Sequence, residues 1–300
     1  MIQKWKKIGR VYAGQSYCSV PIVIPISNEH LKIIFSTRDE NNQSIPYSIE
    51  YDLNTNRVLS ESLIDVELGG LGTFDQNGIM PTSYIIKDDV IYLYYIGWNV
   101  GGAVPFRNAI GLLVSTDGCN SFSKYSKGPL LDRSIYDNCF VASNSVIHDQ
   151  DIFKMYYLSC DEWMDNNKTQ VKHKYNIKYA TSHDGIIWKR DGTIAIDYSC
   201  DDEYAISVPR VLKELDMYKM WYSYRGGPNN STYRIGYAES KDGLNWDRRD
   251  NEVNLSISET GWDSEMICYP YIYMYSGKYY LFYNGNGYGK TGIGLAVLDV

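Results

Sequence analysis

Two carboxylates in this chain share a spacing, and two more stand one position away from it, in a pattern that suits bond cleavage. The segments Val20-Pro-Ile-Val-Ile24, Met80-Pro-Thr-Ser-Tyr84, Ser143-Asn-Ser-Val-Ile147, Val208-Pro-Arg-Val-Leu212 and Tyr269-Pro-Tyr-Ile-Tyr273 superpose on their proline, with Asn144 standing in for the third. Six residues upstream of that position lie Gln15, Asp75, Asn138, Glu203 and Ser264. Asp137 stands beside this column, and Glu265 one position further on. If the five segments converge, Asp75, Glu203, Glu265 and Asp137 converge too. Paired carboxylates are what glycosidic cleavage uses, one as acid and one as nucleophile or base. Asp75, Glu265 and Glu203 are therefore the candidate catalytic residues, and Asp137 a candidate substrate contact. Glu265, close to Trp262, has the apolar neighbour that raises a carboxyl pKa toward acid catalysis.

Arginines accompany these acids. Arg38, Arg107, Arg225 and Arg234 fall at the ends of second strands or the starts of third strands, while Arg133 and Arg210 flank the proline segments. A guanidinium fork suits carboxylate or phosphate. Trp98, Trp163 and Tyr288 are candidate sugar-stacking rings, Tyr17 lies in the opening segment of the first unit, and Asn286 lies in a glycine-rich stretch, Gly285-Asn-Gly-Tyr-Gly289, read as a tight rim loop. The expected substrate-binding set is thus Tyr17, Trp98, Arg107, Asp137, Arg225, Arg234 and Asn286. Histidines 30, 148, 173 and 183 show no ligand spacing and read as surface or satisfied core.

The elements that must position these residues recur along the chain. Ser115-Thr-Asp-Gly-Cys-Asn-Ser-Phe122, Ser182-His-Asp-Gly-Ile-Ile-Trp188 and Ser240-Lys-Asp-Gly-Leu-Asn-Trp246 share one turn followed by an aromatic. Asp-Gly supplies the positive φ of a tight hairpin, which explains Asp117, Asp184 and Asp242 structurally. An aromatic strand precedes each: Ile91–Gly97, Phe153–Ser159, Tyr218–Tyr224 and Tyr279–Gly285, with Leu31–Ser36 a weaker copy. A unit repeated at propeller-blade spacing predicts an all-β, five-bladed β-propeller, one domain over residues 1–300. The last blade lacks a strand, and Lys4–Val11 is the expected fill, closing the ring. Gly97–Arg107 and Cys160–Tyr175 are expected to be insertions on the pocket side.

This pattern resembles the five-bladed propeller glycosidases: arabinanases, xylosidases, invertases, levansucrases and mannoside phosphorylases. The turns and strand-opening prolines carry the resemblance over nearly the whole chain. It implies a catalytic Asp, Asp, Glu set from the first three blades. Here Gln15, Tyr17 and Ser19 stand where the first Asp belongs, and Asp137-Asn-Cys-Phe lacks the Glu. Glu203 and Glu265 belong to blades four and five instead.

Twenty-nine tyrosines against seven Phe and seven Trp fit strands around a polar ligand. A net charge of -7 gives no general attraction to nucleic acid or anionic membrane. Six scattered cysteines without a C-x-x-C pair argue against zinc, and the absence of an apolar leader points to a cytoplasmic protein with reduced thiols. The function expected is carbohydrate-active, of glycoside hydrolase or phosphorylase type, with no cofactor beyond phosphate as co-substrate or a divalent ion on the axis. The expected partner is a carbohydrate or a phosphorylated or nucleotide sugar. The alternative is a non-catalytic sugar or nucleotide-sugar binding propeller in cell-surface polysaccharide assembly.

Overall fold

The computed structural model describes residues 2–166, 170–228 and 230–299. Its regular structure is almost entirely strand. After β1 (Lys6–Tyr12), a first antiparallel unit runs β2 (Ser19–Pro25), β3 (His30–Arg38), β4 (Ser44–Asp52) and β5 (Arg57–Leu63). The second is β6 (Gly78–Lys87), β7 (Val90–Val100), β8 (Phe106–Ser115) and β9 (Ser123–Lys124). The third is β10 (Phe140–Asp149), β11 (Ile152–Asn166), β12 (Gln170–Ser182) and β13 (Lys189–Ile196). The fourth is β14 (Glu203–Glu214), β15 (Met217–Gly226), β16 (Arg234–Ser240) and β17 (Asp247–Arg248). The last holds β18 (Cys268–Tyr275), β19 (Lys278–Asn284) and β20 (Ile293–Asp299), and β1 pairs antiparallel with β20 to make its fourth strand. Among the described residues no helix is long and apolar enough to cross a membrane.

The first strands of successive units pack on one another: β2 on β6, β6 on β10, β10 on β14, β14 on β18 and β18 on β2. Each slips register at the same place, between Ser19 and Ile22, Pro81 and Ser83, Val141 and Asn144, Ser207 and Arg210, and Cys268 and Tyr271. The prolines expected at strand starts sit inside the strands, in these bulges, where the absent N–H breaks no ladder bond. Val20, Val208 and Tyr269, each just before a proline, have φ of 57, 47 and 55°. A β-branched residue there is strained. Their N–H groups are held by the neighbouring unit, Val20 by Asn284 Oδ1 (2.9 Å), Val208 by Ser143 Oγ (3.0 Å) and Tyr269 by Ser223 Oγ (2.7 Å).

The Asp-Gly turns work as read. Asp117, Asp184 and Asp242 accept from Ser115, Ser182 and Ser240 hydroxyls at 2.8 to 2.9 Å and from backbone N–H groups beyond. Hydrogen bonding, led by the Ser121 hydroxyl at Asp117 and the Asn245 N–H at Asp242, holds these two carboxyls far below the usual range. The preceding unit grips each turn: Lys32 donates to the Cys119 carbonyl (2.9 Å), Tyr94 to that of Gly185 (2.7 Å) and Tyr156 to that of Gly243 (2.9 Å). Trp188 then packs edge-on against Tyr94 and Trp246 against Tyr156, filling the gap between sheets.

Candidate functional site

The predicted acids do not meet. Asp75 is 1% exposed, accepts a hydrogen bond from Tyr95 (3.0 Å) and pairs with Lys124 on β9 (2.6 Å). Asp137 is 0% exposed, accepts from Tyr157 (3.1 Å) and Ser159 (2.8 Å), and pairs with Arg190 on β13 (2.7 Å). Asp263 repeats the arrangement with Tyr283 (3.0 Å) and Lys7 on β1 (2.6 Å). Glu203 is 2% exposed and is held by both Arg248 Nη atoms (2.7 and 2.9 Å) from β17, while Tyr222 turns to Asp250, which shares that arginine. In four units, then, an acid ahead of the first strand, or at its first residue in the case of Glu203, is paired with a base on the fourth strand. Three of the four tyrosines lie against a glycine of the third strand: Tyr95 faces Gly111, Tyr222 faces Gly236 and Tyr283 faces Gly294. The first unit has Phe35 at the tyrosine position and Gln15 at the acid position.

The space framed by the five bulges is a cavity of about 380 Å³. Val20, Met80, Ala142, Ser143, Ser207, Val208 and Tyr269 contribute to it from the bulged strands. Phe106, Asn108, His173 and Tyr175 come from the lengthened hairpins β7–β8 and β11–β12, all but Asn108 from the stretches expected to insert on the pocket side. Arg225, Tyr233 and Tyr288 complete the polar wall. None of the described lining residues is a carboxylate. Arg225 lies against the rings of Tyr204, Tyr233 and Tyr288, at 5.1, 4.7 and 5.8 Å, and donates from Nη1 to the Tyr288 hydroxyl (2.7 Å). His173 stacks on Tyr175 at 4.8 Å, with Trp163 edge-on at 5.3 Å. Burial, reinforced by the Arg225 charge, lowers the His173 pKa to about 4, so the ring is neutral at neutral pH.

Of the ten residues expected from the sequence, the cavity takes in one, Arg225. Asp75, Asp137 and Glu203 are bound inside their own sheets. Glu265 is exposed; its N–H donates to Asn286 Oδ1 (2.8 Å) and its carbonyl accepts from Arg234 (3.2 Å), so Asn286 and Arg234 brace the backbone beside the cavity loops that carry Tyr288 and Tyr233. Trp98 donates to Ser44 Oγ (2.8 Å) under the Arg38 guanidinium, and Tyr17, half-buried, lies near the same arginine. Arg107 is exposed in a neighbouring cleft of about 170 Å³ with Arg133; Asn108 belongs to both spaces. His173 departs from the surface or satisfied-core reading, because its buried Nδ1 has no partner. Its alternation with Tyr175 on β12 puts both on one face, a period-two signal present in the sequence. Among the described residues no group of three or more metal-ligating side chains forms.

No protein-family model matches the chain. Over 98% of its length it is 33% identical to the uncharacterized protein Rv1502 of Mycobacterium tuberculosis (strain ATCC 25618 / H37Rv), 99% of which is covered. The chain belongs to the Rv1502 family. Solved structures similar to this family member include a glycoside hydrolase, with a TM-score of 0.79 at 18% identity over 99% of this chain and 92% of that one. A thermostable family-43 glycoside hydrolase gives 0.69 at 18%, covering 96% and 89%. The fold is that of the propeller glycosidases, as the strand repeats imply, in a divergent sequence.

Proposed function

We propose that the five units are blades of one five-bladed propeller, closed by β1, and that its axial cavity holds a sugar residue for a carbohydrate-active reaction. The observation that carries this reading is the cavity wall. Phe106, Phe140, Tyr175, Tyr233 and Tyr269 line it with aromatic surface suited to the C–H faces of a sugar, and Asn108, His173 and Arg225 bring polar groups for its substituents. The glycoside hydrolase fold supports it.

Two-carboxylate hydrolysis needs both acids within roughly 5 to 10 Å of each other across the bond. Asp75 and Glu203 are committed to Lys124 and Arg248. Glu265 is the exposed member of the predicted catalytic set; it lies outside the cavity wall, beside the loops that carry Tyr233 and Tyr288, and we assign it the proton-donor role toward a bond at the cavity rim, with inorganic phosphate as the attacking group. A phosphorylase-type reaction asks for one protein acid and an anion site, which suits this composition better. The second reading, binding of a sugar or nucleotide sugar without turnover, is favoured by the lack of a carboxylate in the described cavity wall.

The test incubates oligosaccharides with wild type and Glu265→Gln, with and without phosphate. Phosphate-dependent release of a sugar phosphate, lost in the variant, supports the assignment. Turnover that survives Glu265→Gln removes it. Thermal stabilisation by sugars without turnover selects the second reading, since a ligand of the native state raises Tm by mass action. No stabilisation by any sugar ends both.

A further inference from the structure

Many of the buried and half-buried cations described meet a carboxylate, but Lys32, Arg38 and Arg234 donate to backbone carbonyls instead. Lys7, Lys124, Arg190 and Arg248 each meet a carboxylate within 2.6 to 2.7 Å. Lys154 does so at Asp149 (2.7 Å) and Lys219 at Glu214 (2.6 Å). Arg225 is half-buried and, among the described residues, has no acidic partner. Its Nε is buried without any hydrogen-bond acceptor. The three tyrosine faces around it offset part of the desolvation but supply no anion. Arg210 also lacks a carboxylate, yet it is pressed on the Tyr271 ring at 3.8 Å and does not line the cavity.

Arg225 is therefore a fixed cation in the wall of a cavity with no described acid in it. His173 adds a second unpartnered polar atom, Nδ1, to the same wall. A neutral sugar would leave the guanidinium uncompensated; an oxyanion would complete it, because the fork accepts carboxylate or phosphate oxygens in pairs. We infer that the cavity selects saccharides bearing an anionic substituent, carboxylate or phosphate, with Arg225 as its anchor. The inference rests on the sugar-binding reading above and narrows its substrate class.

Isothermal titration with glucose, glucuronate, glucose 1-phosphate and inorganic phosphate, on wild type and Arg225→Gln, tests it. The expected result is that at least one charged sugar binds tenfold or more tighter than glucose, and that Arg225→Gln abolishes this preference. Glucuronate or glucose 1-phosphate as the winner distinguishes carboxylate from phosphate. Glucose binding as tightly as both charged sugars overturns the inference and leaves the sugar reading intact. Phosphate binding with no sugar binding overturns the sugar reading, and with it the saccharide selectivity. Binding of nothing overturns both. If Arg225→Gln does not fold, phenylglyoxal labelling of wild type followed by peptide mass spectrometry replaces it. Protection of Arg225 by the charged sugar but not by glucose is expected there; equal labelling with and without it overturns the anchor.

Discussion

Lys124 and Asp75 meet at 2.6 Å, although one lies on the outermost strand of its unit and the other precedes the innermost. The pair spans the sheet, and Arg190–Asp137, Arg248–Glu203 and Lys7–Asp263 repeat it. Removing one partner of a buried pair leaves the other charge uncompensated, at a cost of about 3 kcal/mol. Asp75→Asn is expected to lose about that much in urea unfolding while the folded protein keeps its ligand affinity. A variant of unchanged stability that no longer binds would instead put Asp75 in contact with the ligand.

Gly111 is the floor on which Tyr95 lies. A Cβ at Gly111 would stand 2.3 Å from the Tyr95 ring. Gly111→Ala should destabilise by about 2 kcal/mol, the ordinary cost of overpacking. Gly102→Ala, with open space around its Cβ position, is the control and should unfold like wild type. Equal midpoints for the two variants would mean that the tyrosine can step aside.

Trp246 meets Tyr156 edge-on at 5.4 Å, across the gap between the third and fourth units. Truncating a large aromatic typically costs 3 to 5 kcal/mol when fully buried; for the half-buried Trp246→Ala about 2 kcal/mol is expected. Near-ultraviolet circular dichroism at this contact should weaken with little change in the far ultraviolet. Full retention of both signal and stability would show that the gap is filled without the indole.

His173 should make stability depend on pH. Its folded pKa, lowered to about 4 by burial and by Arg225, lies below the ordinary value of about 6.5, so the unfolded chain takes up the proton first. The stability that neutral His173 contributes is present above about 6.5 and is lost as pH falls toward 4. Comparing thermal midpoints across that window, wild type should fall more steeply than His173→Phe. Parallel curves would mean that the ring is protonated without penalty.

The strands were legible in the sequence because alternation and Asp-Gly turns are local signals. The extra strand Lys6–Tyr12 was legible as well, from a strand missing at the other end. The site was not. Superposing the proline segments placed Asp75, Asp137 and Glu203 in register, but register alone does not say whether a side chain turns to the axis or back along its own sheet. The deciding residues, Lys124, Arg190, Arg248 and Lys7, form a second column on the fourth strands. Two of those, Ser123–Lys124 and Asp247–Arg248, are too short to show a pattern. His173 and Phe106 reach the cavity from the stretches Cys160–Tyr175 and Gly97–Arg107, whose length set them on the pocket side without singling out these two side chains.

Pairing of β1 with β20 sets a timetable for synthesis. Lys6 lies opposite Val297 and β1 pairs with β20 alone among the described strands, so β1 is made long before its partner and waits with both edges unpaired. Contacts of such long sequence separation are slow to form. Until β20 emerges, β1 is an open template for any other strand, and a stalled or truncated nascent chain would be held in that exposed state.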